Sequence, residues 1–173
     1  MATTRVPVNP VFVMNTVGAF MELSTPIAID GAATWKAGQW LRRASDGLMY
    51  ESITSANSGV GDDMITHMAA VDLGTAIGAD TTFRKFYINK STDVFELNEN
   101  SSAAATLAQV GTLCGIIVSS NVTTFNISET THTVIRIVDP CWDNRPFEDG
   151  STDLKPRWLV SPREASINGV TTN

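Results

Sequence analysis

Short apolar runs rich in Val, Ile and Thr recur along the chain at intervals of roughly ten residues, separated by clusters of Gly, Asn, Ser and Asp. That rhythm predicts a barrel or a sandwich rather than βαβ units, in which strands alternate with longer helical patterns. Strands are expected over 40–43, 48–53, 64–73, 82–89, 94–98, 113–120, 123–127, 133–138 and 157–160. The clearest local signal is the hairpin from Trp40 to Ile53, in which Ala44-Ser45-Asp46-Gly47 joins two strands and the Asp-Gly pair supplies the positive φ a tight turn needs. Ser119-Ser120-Asn121, between IIV and VTTFNI, marks a second hairpin. Lys36-Ala37-Gly38 reads as a tight turn before a strand, and Thr54 to Asp63 as a long surface loop. Val11 to Leu23 is mostly apolar around Gly18, which fits a buried strand with a bend or bulge; a short helix is the competing reading. Only 103–110 has a helical texture, and it is short. No fixed-period repeat and no low-complexity segment is visible.

The two ends differ from this body. Residues 1–10, MATTRVPVNP, mix β-branched residues with Pro7 and Pro10 and have no helical period, so they read as an extended, partly polyproline-like arm. Beyond Pro140 the texture becomes CWDNRPFEDGSTDLKP, an irregular stretch of prolines, acids and two large aromatics. The expected organisation is an arm over 1–12, one β-rich domain over 13–162 that includes an irregular loop at 139–156, and a polar tail over 163–173. The expected fold class is all-β: a small β-barrel or β-sandwich with an extended N-terminal arm and one short helix at most.

Composition sharpens this picture by exclusion. Val, Ile and Thr supply 48 of the 173 residues and Lys only four, so an all-α bundle is disfavoured. Twelve basic against 18 acidic residues give a net charge of −6, which argues against a surface that tracks phosphates, and nucleic acid is not an expected partner. The longest clean apolar stretch, Leu113 to Val118, is far below the roughly 20 residues of a membrane span, and no membrane partner is expected. The N-terminus lacks the apolar core of a secretory signal, so the chain is expected to start life in a cytosol. Cys114 and Cys141 lie 27 positions apart with no CxxC, and both are expected to be reduced, partly buried small hydrophobes.

Candidate chemistry is sparse. A nucleophile needs a base oriented by a third group, and only His67 and His132 could serve; both read as half-exposed imidazoles on strands, with no GxSxG elbow nearby. Asp62-Asp63 and the group Asp139, Asp143, Glu148, Asp149 and Asp153 read as solvated acidic loops, because the alternating spacing of a calcium loop is missing. No GxxxxGK[ST] or GxGxxG occurs. No catalytic residue, metal or cofactor is therefore assigned, and an enzyme is not expected. Asn89, Asn100, Asn121 and Asn126 begin Asn-x-Ser/Thr triplets, which read as incidental. Trp35, Trp40 and Trp158 read mainly as core, whereas Trp142, Arg145 and Phe147 combine the residue types of an interface anchor in an irregular loop.

The blocks Asn15 to Ala28, Trp35 to Arg43 and Asp46-Gly47-Leu48, followed by Val110-Gly111-Thr112, Cys114-Gly115-Ile116, Thr130 to Val134 and Ile137-Val138-Asp139, resemble tailed-bacteriophage capsid decoration (cement) proteins. The motifs are structural rather than catalytic, and they span most of the chain between 15 and 139. The resemblance implies a β-rich virion protein, made in the infected bacterial cytoplasm, that binds the outside of an icosahedral head and bridges major capsid subunits. It also implies a homo-oligomer, with a trimer favoured. Interface candidates are then Val6, Pro7, Val8, Pro10 and Phe12 in the arm, and Trp142, Arg145 and Phe147 in the late loop. The rival expectation is a β-sandwich that binds carbohydrate or a host surface through exposed Trp and Tyr; a hydrolase would instead need two close carboxylates in a cleft.

Overall fold

The computed structural model describes residues 10–15, 21–22, 27–30, 33–43, 46–51, 64–74, 86–100, 107–140, 157–164 and 167. These form an all-β fold of two antiparallel sheets.

The first sheet contains β1 (Val11–Asn15), β7 (Asp93–Asn98), β8 (Leu113–Ser119), β9 (Val122–Asn126), β10 (Ile135–Pro140) and β11 (Arg157–Pro162), in the order β1-β7-β11-β10-β8-β9. Side-chain alternation decides which face is buried. Phe95 and Leu97 on β7 share an inner face with their register partners Val160 and Trp158 on β11, then with Ile135, Ile137, Cys114, Ile116 and Phe125. The sheet also curls back on itself. Glu99, just past β7, bridges Phe125 of the far strand β9, and the Asn100 N–H donates to the Phe125 carbonyl at 2.8 Å. Strands β7, β11, β10, β8 and β9 thereby form a barrel-like ring around that core, with β1 as a further strand outside the seam.

The second sheet contains β2 (Met21–Glu22), β3 (Trp40–Arg43), β4 (Met49–Glu51), β5 (His67–Ala69) and β6 (Phe86–Ile88), in the order β2-β6-β5-β3-β4. Both of its faces are covered at its centre. On β3, Trp40 joins the barrel core and its neighbour Leu41 joins a second cluster with Ile27, Ile29, Ala33, Trp35, Met49, Ala69 and Leu73. Trp40 meets Phe95 of the first sheet edge-to-face, with ring centroids 5.3 Å apart, so one indole couples the two sheets.

Turn chemistry agrees with the residues present. Ser120 and Asn121 both have positive φ, 51° and 61°, and Ser119 pairs with Val122, which is the two-residue I′ geometry of a β8–β9 hairpin. Gly38 at φ 79° closes the turn in which Gln39 N–H donates to the Lys36 carbonyl at 3.0 Å. Gly47, at φ 82°, lies in the connection between β3 and β4, which pair through Leu41–Glu51, Arg42–Tyr50 and Arg43–Met49.

Several expectations shift. The helix expected over 103–110 is, among the described residues, a single 3-10 turn at Leu107–Gln109. The long strand expected over 64–73 is only β5; Leu73 instead bridges Trp35 from outside it. Val11 and Phe12, assigned to the arm, are the start of β1, paired with Glu96 and Phe95. The tail expected from Arg163 begins with a helical hydrogen bond, Ile167 N–H to the Arg163 carbonyl at 3.2 Å. Among the described residues no helix is long and apolar enough to cross a membrane.

Candidate functional site

The interface candidates divide by position. Val6, Pro7, Val8, Trp142, Arg145 and Phe147 lie outside the described residues. Pro10 is buried, and Phe12 packs on Phe95 edge-to-face at 5.8 Å, so this aromatic supports the chain's own core. The outward positions of the same strand are Val11, 48% exposed, and Val13, 44% exposed. Alternation puts Val11 outward when Phe12 is turned inward, and Val13, the residue at the register shift between Phe12 and Met14, is left exposed by that bulge. Across the ladder the outer face continues through Glu96, opposite Val11, and Leu159, opposite Glu96. Arg157 and Glu96 form an ion pair there.

A second apolar surface lies where the 3-10 turn meets β10. Leu107 is 75% exposed, Val110 43% and Val138 38%. Backbone bonds hold them side by side: Gly111 N–H donates to the Ile137 carbonyl, and Ile137 N–H to the Thr112 carbonyl, both at 2.9 Å. Gly111 has a φ of 86°, which lets the chain turn from the 3-10 segment into β8. The sequence signal for this patch is the Leu-Ala-Gln-Val-Gly run, which reads as helix only because its period is too short to judge.

The catalytic candidates land in structural roles. His67 is buried, not half-exposed, and His132 lies in a bend rather than on a strand. The Thr66 hydroxyl is 2.7 Å from His67 Nδ1, nominally a nucleophile beside a base. Burial, and after it the nearby Arg43 guanidinium, lowers the imidazole's pKa to about 4. A triad carboxylate acts in the opposite sense, raising the base's affinity for the proton it takes. Among the described residues no group of three or more His, Cys, Asp or Glu is arranged to hold a metal ion. Asp62, Asp63, Asp143, Glu148, Asp149 and Asp153 lie outside the described residues, and Asp139 is exposed on β10.

Cys114 is a fully buried thiol, pushed up to about 12 by burial and by the nearby Glu99 carboxylate, and so behaves as a small hydrophobe. Trp35, Trp40 and Trp158 are all fully buried, with the Trp158 indole donating to Glu99 at 3.2 Å; none presents a face to a sugar. The half-buried Tyr50 is capped by Arg42 at 4.9 Å and donates its hydroxyl to Asp46 at 2.6 Å. That hydrogen bond holds Asp46 below the usual carboxylate range and raises the Tyr50 phenol.

Two residues that belong to no chemical motif organise the second sheet and its flank. Asn89, seen in the sequence as the start of a glycosylation triplet, is buried; its amide donates to the Ile65 carbonyl at 2.6 Å and the His67 carbonyl at 3.0 Å. Asp72 accepts the Ala37 N–H at 2.8 Å and pairs with Lys36 at 3.0 Å, which holds its carboxyl below the usual range. No sequence period marks either, because their partners stand more than 20 positions away along the chain.

Compared with known proteins, the chain matches no family model, no curated protein and no solved structure.

Proposed function

We propose that this chain is a structural virion protein that binds the outside of a tailed-phage head and stabilises it by bridging major capsid subunits, acting as a homo-oligomer with a trimer favoured. The observation that carries the reading is the outer face of β1. Val11 and Val13 stand outward on the terminal strand of the larger sheet, backed by Phe12 on Phe95, so two exposed apolar side chains are held on a rigid support. The proline-limited residues Val6 to Pro10 precede this strand in the sequence. The resemblance of the blocks between 15 and 139 to decoration proteins gives the surface its partner.

The mechanism is mass action. A protein that binds the assembled shell and not its separated subunits stabilises the shell by about 2.7 kcal/mol per site at a hundredfold excess over Kd. The test is binding of the purified chain to undecorated heads, followed by co-sedimentation. Val11→Asp with Val13→Asp should lower occupancy at least tenfold and leave the urea midpoint within experimental error of the parent. Saturable occupancy by the double variant equal to the parent's removes β1 from the mechanism, and no binding by the parent removes the capsid reading. Sedimentation equilibrium of the free chain decides the trimer.

A further inference from the structure

His67 joins a buried ring to the backbone seam between two strands. On β5 it pairs with Leu41 of β3 and lies two residues from Ala69, so it stands on the face covered by the second apolar cluster. The seam itself is short: β3 and β5 pair only through Trp40–Met68 and Leu41–His67. Where a further backbone pair would follow, the Arg43 N–H donates to the Thr66 side-chain hydroxyl at 2.9 Å. That hydroxyl oxygen lies 2.7 Å from His67 Nδ1. On the other side, Asn89 N–H donates to the Thr66 carbonyl at 3.0 Å, which fixes the backbone that carries both side chains.

Proton accounting gives this chain of contacts a direction. Thr66 has one hydroxyl hydrogen to donate. With Arg43 N–H donating to its oxygen, that hydrogen is best used on a neutral imidazole whose Nδ1 accepts and whose Nε2 carries the proton. Protonating the ring puts a hydrogen on Nδ1, reverses the 2.7 Å contact and turns the threonine hydrogen away from its acceptor. It also creates a cation in a buried site. Charged or titratable positions on the surrounding elements are Arg42 and Arg43 of β3, Tyr50 and Glu51 of β4, Tyr87 of β6, and Asp30 and Lys90 in the flanking segments. Of these, Arg43 acts on the ring, and it opposes protonation.

We propose that His67 and Thr66 form an acid-released latch on the β3–β5 seam: the neutral ring holds the hydroxyl that receives the Arg43 N–H, and the imidazolium is accommodated only when the seam opens to water. Opening returns the ring to the ordinary histidine range near 6.5, whereas the closed site holds it at about 4. Linkage then makes opening easier as pH falls below 6.5, by about twentyfold at pH 5 relative to pH 7.

The test is backbone amide exchange by NMR on the full chain, corrected to protection factors, from pH 7.5 to pH 4.5. Arg43 protection should fall at least tenfold between pH 7 and pH 5, while Gly115, whose N–H donates to the Glu129 carbonyl in the barrel, keeps its value. His67→Gln should remove the pH dependence at Arg43. An equal fall in parent and variant overturns the latch. Ring 15N shifts of the parent decide the matter independently of whether the variant folds: a proton on Nε2 and titration below pH 5 support the latch, and titration near 6.5 in the folded protein overturns it.

Discussion

The two sheets of this protein solve the same problem with different materials. The strands of the barrel sheet are five to seven residues long, and the ladder satisfies most of their backbone groups. Among the described residues, the strands of the second sheet have two to four residues. Short strands leave donors and acceptors at every end, and a buried peptide group without a partner is costly. Side chains fill the gap there: Asn89 takes the Ile65 and His67 carbonyls, Thr66 the Arg43 N–H, and Asp72 the Ala37 N–H. The barrel is therefore held chiefly by pattern, and the described part of the second sheet leans more on particular side chains.

The strongest way to break this comparison is to separate the sheets. Trp40 belongs to the second sheet by its backbone and to the barrel core by its ring. Trp40→Ala should cost about 3–5 kcal/mol, the range for removing a fully buried aromatic. Urea unfolding measures the total, and amide exchange shows where it falls. Protection should drop further at Ala69 than at Val134, both of which are backbone-bonded donors. Equal loss at the two sites would mean that the sheets open as one unit.

Acid separates them next. His67 is depressed from 6.5 to about 4 by burial and Arg43, so the unfolded state binds the extra proton first. Its contribution is full above pH 6.5 and is lost as pH falls towards 4, a change of roughly 3 kcal/mol. In the barrel Glu129 is held below its ordinary 4.5 by the N–H groups of His132 and Thr131, so its contribution persists above that pH and is lost only below it. Urea midpoints should therefore fall between pH 6.5 and 4.5 in the parent and stay nearly level in His67→Gln over that window. A parent whose midpoint is flat there contradicts the assignment.

A smaller effect probes the barrel wall. Gly115 is buried on β8 beneath the loop that carries Glu129; a Cβ there would lie 2.5 Å from Glu129 Cγ and 2.8 Å from the His132 carbonyl oxygen. The side chain can move, but the carbonyl belongs to a loop fixed by Gly115 N–H to Glu129 O and by Val134 N–H to Cys114 O, each 3.0 Å. Gly115→Ala should cost about 1–3 kcal/mol, as overpacking does. A thermal scan that finds the variant as stable as the parent would show that the loop yields.

This contrast also explains what could be read from the residues alone. The hairpin at 113–126 is legible because its strands and its turn are contiguous and each obeys a local rule. The all-β class follows from the same local evidence. In the second sheet the expected strand over 64–73 shrinks to three residues, because the rest of that segment is held by contacts of Thr66 with Asn89, Asp72 with Ala37 and Leu73 with Trp35. Asn89 donates to carbonyls 24 and 22 positions back, and no period or motif encodes such a reach. At β1 the alternation Val-Phe-Val was present in the sequence, yet which parity faces the core depends on pairing with β7, a partner some 80 positions on. Surface chemistry is less legible than fold for that reason: one residue of register exchanges Phe12 for Val11 and Val13.

The smallest predicted effect tests whether the barrel's locality can be strengthened. The β8–β9 turn requires positive φ at two successive residues, and here Ser120 and Asn121 occupy those positions at 51° and 61°. Asparagine tolerates that region through its short polar side chain, but serine does so less well, and glycine has no Cβ to oppose it. The sequence most suited to a two-residue I′ turn is Asn-Gly. Ser120→Asn with Asn121→Gly should therefore stabilise the protein by about 0.5–1 kcal/mol, less the entropy that the new glycine adds to the unfolded chain. Both positions are at the tip of the hairpin, with Ser120 exposed and Asn121 half-buried. If the β8–β9 hairpin forms early in folding, the gain appears as faster refolding with the unfolding rate unchanged; if it forms late, as slower unfolding. A double variant less stable than its parent would mean that Ser120 or Asn121 makes a contact worth more than the strain it carries, and would place in the turn itself the dependence on individual side chains that marks the second sheet.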